Sequence, residues 1–101
     1  MNICLNQDKI RIRITKDEFN SLTNNGEISY CFQYWPLTID IIIKPSHNPS
    51  RIYSNKLLVS VTTDELSLLI SPENLKNGLN FIANNEKNNE IIVDLQVDLK
   101  S

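Results

Sequence analysis

Apolar and polar residues alternate without a break from Lys9 to Ile14. Ile10, Ile12 and Ile14 fall on one side, and Lys9, Arg11 and Arg13 on the other. A period of two is the mark of a half-buried strand. The pattern returns over 27–34, where Ile28, Tyr30, Phe32 and Tyr34 face one way and Ser29, Cys31 and Gln33 the other. It returns over 37–44 with Leu37, Ile39, Ile41 and Ile43 inward, over 56–62 with Leu57, Val59 and Val61, and more weakly from Leu79 to Asn84. The cleanest run is Ile91, Val93, Leu95, Val97 and Leu99 against Ile92, Asp94, Gln96, Asp98 and Lys100. Six main strands follow, and Ile3 and Leu5 are compatible with a short additional one. Trp35-Pro36 forms the tight connection of a hairpin, because proline removes a ladder donor.

Two helices are predicted by start signals rather than by long periodicity. Thr15 stands three residues before Glu18, and Thr62 three before Glu65. Each is a capping box, in which the threonine hydroxyl accepts from the glutamate backbone N–H and the glutamate side chain reaches back to the cap. Asp17 and Asp64 add negative charge at the positive end of each helix. Gly26 closes the first helix and Ser71-Pro72 the second. Pro72 to Gly78 reads as a loop or one loose helical turn.

The two helix starts align with the strands before them. Ile12, Ile14, Thr15, Asp17, Glu18, Phe19 and Leu22 match Val59, Val61, Thr62, Asp64, Glu65, Leu66 and Leu69. Thr38-Ile39-Asp40-Ile41 echoes Ile92-Val93-Asp94-Leu95. The expected fold is therefore α+β, with an internally duplicated strand–helix–strand–strand unit. It has about six mostly antiparallel strands in a curved or barrel-like sheet and two short helices. The pseudo-repeat halves are 1–44 and 56–101, joined by the Pro/Ser/Asn-rich loop 45–55 in one single domain, 1–101.

Composition narrows the function classes. The 101 residues carry a formal net charge of −2 and only 2 glycines. That argues against nucleic-acid or anionic-membrane binding by bulk charge, and against a glycine-rich phosphate loop. The two cysteines, Cys4 and Cys31, make no disulfide framework. No apolar run approaches a transmembrane helix, and the first residues lack the basic and long apolar regions of a signal peptide, so a cytoplasmic setting is expected.

The run Lys9-Ile10-Arg11-Ile12-Arg13-Ile14-Thr15-Lys16-Asp17-Glu18 resembles the I-R-L-R-L-T-K-S-E-V-like N-terminal signature of a family of small uncharacterised bacterial proteins, a domain of unknown function. Gly26, Glu27 and Tyr30 sit in comparable places, and the likeness continues more loosely to the last strand. Those relatives end in an acidic-basic-Asp-Phe run and a cysteine. This chain ends Val97-Asp98-Leu99-Lys100-Ser101, so a metal or redox role resting on that cysteine is not implied. The resemblance implies a bacterial cytoplasmic protein and no activity.

Candidate chemistry is sparse. Asp17/Glu18 and Asp64/Glu65 are paired carboxylates, but helix capping accounts for them. His47 is the only histidine. It sits in the loop and has no motif linking it to Cys4 or Cys31, so an enzyme is not expected and no cofactor is implied. Arg11 and Arg13, with Lys9, form a basic stripe on the outer strand face. It is read either as a contact for an anion or nucleic acid, which makes Arg11 and Arg13 candidate interaction residues, or as a solvated face satisfied by cross-strand pairing to Asp94 and Asp98. Trp35 is out of register with its strand and, with Arg51 and Tyr53 of the long loop, makes the best candidate interaction patch. The expected function is a protein–protein interaction or self-associating module, its partner an unknown protein or a second copy. The alternative is a small-molecule-binding domain with a pocket between the halves.

Overall fold

The computed structural model describes residues 1–34 and 37–100. Eight strands and three helices are formed among them: β1 (Asn2–Leu5), β2 (Lys9–Thr15), α1 (Lys16–Asn25), β3 (Ile28–Tyr34), β4 (Leu37–Pro45), β5 (Arg51–Tyr53), β6 (Lys56–Val61), α2 (Thr63–Leu69), α3 (Pro72–Asn77), β7 (Leu79–Asn84) and β8 (Glu90–Asp98). All eight strands belong to one sheet, in the order β1-β2-β8-β7-β5-β6-β4-β3. The sheet curls into a half-barrel and does not close.

The alternating isoleucines, leucines and valines line the inner face. Ile12 and Ile14, Ile41 and Ile43, Leu57, Val59 and Val61, and Val93, Leu95 and Val97 are all buried there. Phe19 and Leu22 from α1 and Leu69 from α2 fill the concavity. Each of these helices is too short to stand alone and is stabilised by this packing.

Both capping boxes form. Thr15 Oγ1 accepts from the Glu18 N–H at 3.1 Å, and Glu18 Oε1 accepts from the Thr15 N–H at 2.8 Å. Thr62 and Glu65 repeat this at 3.2 and 2.9 Å. Met1's ammonium lies 3.0 Å from Glu18 Oε1. Burial pushes the Glu18 carboxyl up, but the Thr15 N–H and the ammonium outweigh it and hold the group below its ordinary value. Replacing Thr15 or Thr62 by alanine is expected to cost about 1 kcal/mol each in urea denaturation, near-additively because the two caps serve separate helices.

The strand count departs from the six expected, and the helix count from two, for identifiable reasons. β1 pairs antiparallel with β2 from Asn2↔Arg13 to Leu5↔Ile10. β5 lies inside the expected 45–55 loop, where prolines and asparagines mask a three-residue strand. Ser54, at φ 56°, turns it back onto β6. α3 starts at Pro72, whose fixed φ and missing N–H suit the first helical position.

The pairing is also less antiparallel than expected. β2 runs parallel to β8, β4 to β6, and β5 to β7 through a single bridge, Arg51↔Asn84. The first strand of each strand–helix–strand–strand run thus pairs with the last strand of the other. Registers separate the two halves, however. Lys9 and Lys56 stand equally far before their capping threonines, yet Lys9 lies opposite Ile92 and Lys56 opposite Asp40. The Asp40/Asp94 echo is therefore out by two positions.

Candidate functional site: an unpaired strand edge

β3 ends the sheet and has β4 as its only neighbour strand among the described residues. Its seven residues, Ile-Ser-Tyr-Cys-Phe-Gln-Tyr, contain no charge, proline or glycine. It is the longest uncharged strand in the sheet. Natural edge strands are normally blunted by lysine, proline, bulges or extreme shortness, because unpaired backbone groups recruit further strands. β-branched and aromatic residues strengthen that tendency.

The hydrogen-bond pattern fixes which groups face outward. Cys31 lies opposite Asp40, and the Asp40 N–H donates to Asn55 O at 2.9 Å, on the far side from β3. Cys31↔Asp40 is therefore a non-hydrogen-bonded pair of the antiparallel ladder. By the two-residue period, the N–H and C=O groups of Ser29, Cys31 and Gln33 point to the free edge. Their side chains are exposed on the outer face. On the inner face Ile28 packs on the core, but Tyr30 is 42% exposed, because no strand beyond β3 covers it.

Cys31 also begins a polar row across the outer face: Cys31, Asp40, Lys56 and Tyr53 face one another in register on β3, β4, β6 and β5. The hydrogen bond to Asp40, with some burial and the Asp40 charge, pushes the Cys31 thiol above its ordinary value. A thiol held protonated is a poor nucleophile and a poor metal ligand.

The second edge is different. β1 has four residues, and Leu5 on its inner face is 46% exposed. It offers little ladder to a partner.

Arg11 and Arg13 lie on the outer face of β2, opposite Asp94 and Gln96 of β8. Arg11 Nε is 3.5 Å, and Lys9 Nζ 3.7 Å, from Asp94 Oδ2. Arg13 makes a long contact of 3.5 Å to Gln96 Oε1, and Gln96 Nε2 donates to Leu75 O and Lys76 O. With Asn2 and Cys4, the side chains of Arg11, Arg13, Asp94 and Gln96 border a shallow groove of about 220 Å³. The cross-strand pairing expected for Arg11 is present. Asp94 itself is 5% exposed, which its outward place in the alternation did not signal.

Arg51 and Tyr53 do come together, with the guanidinium 5.7 Å from the ring centroid. They are three strands from Arg11, about 14 Å at ordinary strand spacing, so the two basic sites form no single patch. Trp35 lies outside the described residues. Arg51 instead borders an open groove of about 510 Å³ between the 45–55 segment and the β7–β8 turn, with Ser46, Asn48, Asn84 and Asn88.

His47 is exposed, and no cluster of three or more metal-ligating side chains occurs among the described residues. No described helix is long and apolar enough to cross a membrane. The residues that sequence reasoning missed are Ser29, Tyr30 and Gln33. Their signal was the absence of charge between Glu27 and Asp40. Comparison with known protein families, curated proteins and solved structures finds no match.

Proposed function

We propose that this chain is a protein-interaction module that works by strand addition at β3, in a cytoplasmic setting. The observation that carries the reading is the free edge itself: seven uncharged residues with the Ser29, Cys31 and Gln33 backbone groups directed outward. Main-chain hydrogen bonds supply the affinity in this mode, and alternate side chains the selectivity. The same reading treats 1–44 and 56–101 as two copies of one unit, supported by the twin capping boxes and the crossed parallel pairs.

Native mass spectrometry of protein isolated gently from its host tests it. Masses at multiples of 11.6 kDa, or at one copy plus another polypeptide, are expected. The double variant Ser29→Lys/Gln33→Lys places charge on an exposed strand face away from the core, so it leaves the fold intact while blunting the edge. It is expected to weaken association at least tenfold, a change of about 1.4 kcal/mol. A bare monomer from the host, or association unchanged in the double variant, overturns the proposal.

A second reading is a small-molecule site, favoured by the Arg51 groove between the 45–55 segment and the β7–β8 turn rather than between the halves, whose volume falls in the range of ligand pockets. A monomer that carries a small added mass, lost in Arg51→Ala, would select it.

A further inference from the structure

We infer that the strand added at β3 is the β3 of a second copy, antiparallel, with the twofold axis passing through Cys31; this rests on the strand-addition reading above. Geometry restricts the options first. β4 occupies one side of β3, so each copy offers the same free side. Two identical free sides meet with their inner faces on the same side only when a twofold axis stands perpendicular to the sheet. That axis makes the strands antiparallel and the interface isologous, so each edge satisfies the other and the assembly closes as a dimer.

Register follows from overlap. Cys31 is the middle residue of Ile28–Tyr34. Pairing over the full strand therefore sets Cys31 against its own counterpart and Ser29 against Gln33 of the second copy. Ser29, Cys31 and Gln33 are the residues whose backbone groups face the free edge, so all three enter hydrogen-bonded pairs. A twofold through a residue also keeps odd positions opposite odd and even opposite even. The outer polar row meets an outer polar row, and the half-exposed inner position of Tyr30 gains an inner-face neighbour.

Charge does not oppose the arrangement. The nearest charged side chain on the outer row is Asp40, one strand in from Cys31. Its two copies would stand three strand spacings apart, about 14 Å. That exceeds the screening length of about 8 Å at physiological ionic strength. Cys31 at the axis would bring the two α-carbons to about 5.5 Å, the spacing of a hydrogen-bonded antiparallel pair.

The test joins mass to register. Purified chain carrying Cys4→Ser is treated with a bis-methanethiosulfonate of one-methylene span, in mildly alkaline buffer because Asp40 holds the thiol protonated. A cross-linked dimer through Cys31 is expected, and it disappears in the Ser29→Lys/Gln33→Lys background. The same reagent on Cys4→Ser/Cys31→Ser/Ser29→Cys is expected to give no dimer, since the two introduced thiols lie about 13 Å apart along the strands. Cross-linking at Ser29→Cys, a dimer that resists cross-linking at Cys31, or a ladder of higher oligomers overturns the inference and leaves strand addition standing. A complex with a different polypeptide also overturns it. A monomer at every concentration overturns the self-pairing inference; strand addition itself falls only if the chain isolated from its host is also a bare monomer.

Discussion

Gly78→Ala is expected to be among the most damaging single substitutions in this chain, costing about 3 kcal/mol or more. Gly78 has φ 83° and ψ 169°. That corner of backbone space is essentially reserved for glycine, and forcing another residue into it costs about 1–3 kcal/mol. Space makes matters worse. A methyl group at this position would overlap Asp94 Oδ1 and sit 3.3 Å from Leu95 O. Asp94 has no easy retreat, being almost fully buried and engaged by Lys9 and Arg11 on its other oxygen. Overpacking of this kind adds about 1–3 kcal/mol. Gly26 is the internal comparison. It too has positive φ, at 89°, but an added methyl there meets nothing within 4 Å. Gly26→Ala should therefore cost only the left-handed backbone term, about 1–2 kcal/mol. Urea midpoints for the two variants measure the difference. Equal losses would show that the Asp94 contact is not a constraint.

Leu95→Ala is expected to cost about 2–5 kcal/mol. Leu95 is fully buried at the middle of β8, opposite Ile12 on one neighbour and Leu79 on the other. Truncation there opens a cavity bounded by strands on both sides, which cannot collapse without disturbing two ladders. A domain of this size holds about 5–15 kcal/mol in total, so the variant sits near the edge of folding at physiological temperature. Leu99 is the control: 43% exposed beyond the end of β8, it should change stability by less than about 0.5 kcal/mol on truncation. A small loss at Leu95 would mean that the half-barrel repacks around the gap.

Much of the local structure was legible in the chain. The alternation of Ile10, Ile12 and Ile14, and of Val93, Leu95 and Val97, identifies both the strands and the buried face. Thr15/Glu18 and Thr62/Glu65 fix both main helix starts. Partners were not legible, because a two-residue period assigns a face and says nothing about the neighbouring strand. That is why three parallel junctions replace expected antiparallel ones. Asp94 looks like any outward residue of an alternating strand, and only the passage of Gly78 beside it makes the position closed. The candidate edge shows the same division. The neutrality of residues 28–34 stands in the sequence, but it gains meaning only from the sheet order, which leaves β3 without a second neighbour.

The crossed pairing has a kinetic consequence. β2 must find β8, and the Arg13–Gln96 contact between them spans 83 positions. During synthesis, β2 and α1 leave the ribosome long before their parallel partner exists. Closing so large a loop carries an entropic cost that no local contact repays in advance, placing the chain among slow-folding, high-contact-order topologies. Meanwhile β3 and β4 form a local hairpin whose neutral outer edge is already complete. The nascent protein thus displays its uncharged edge strand before its core is sealed, the interval in which a chaperone would be needed most.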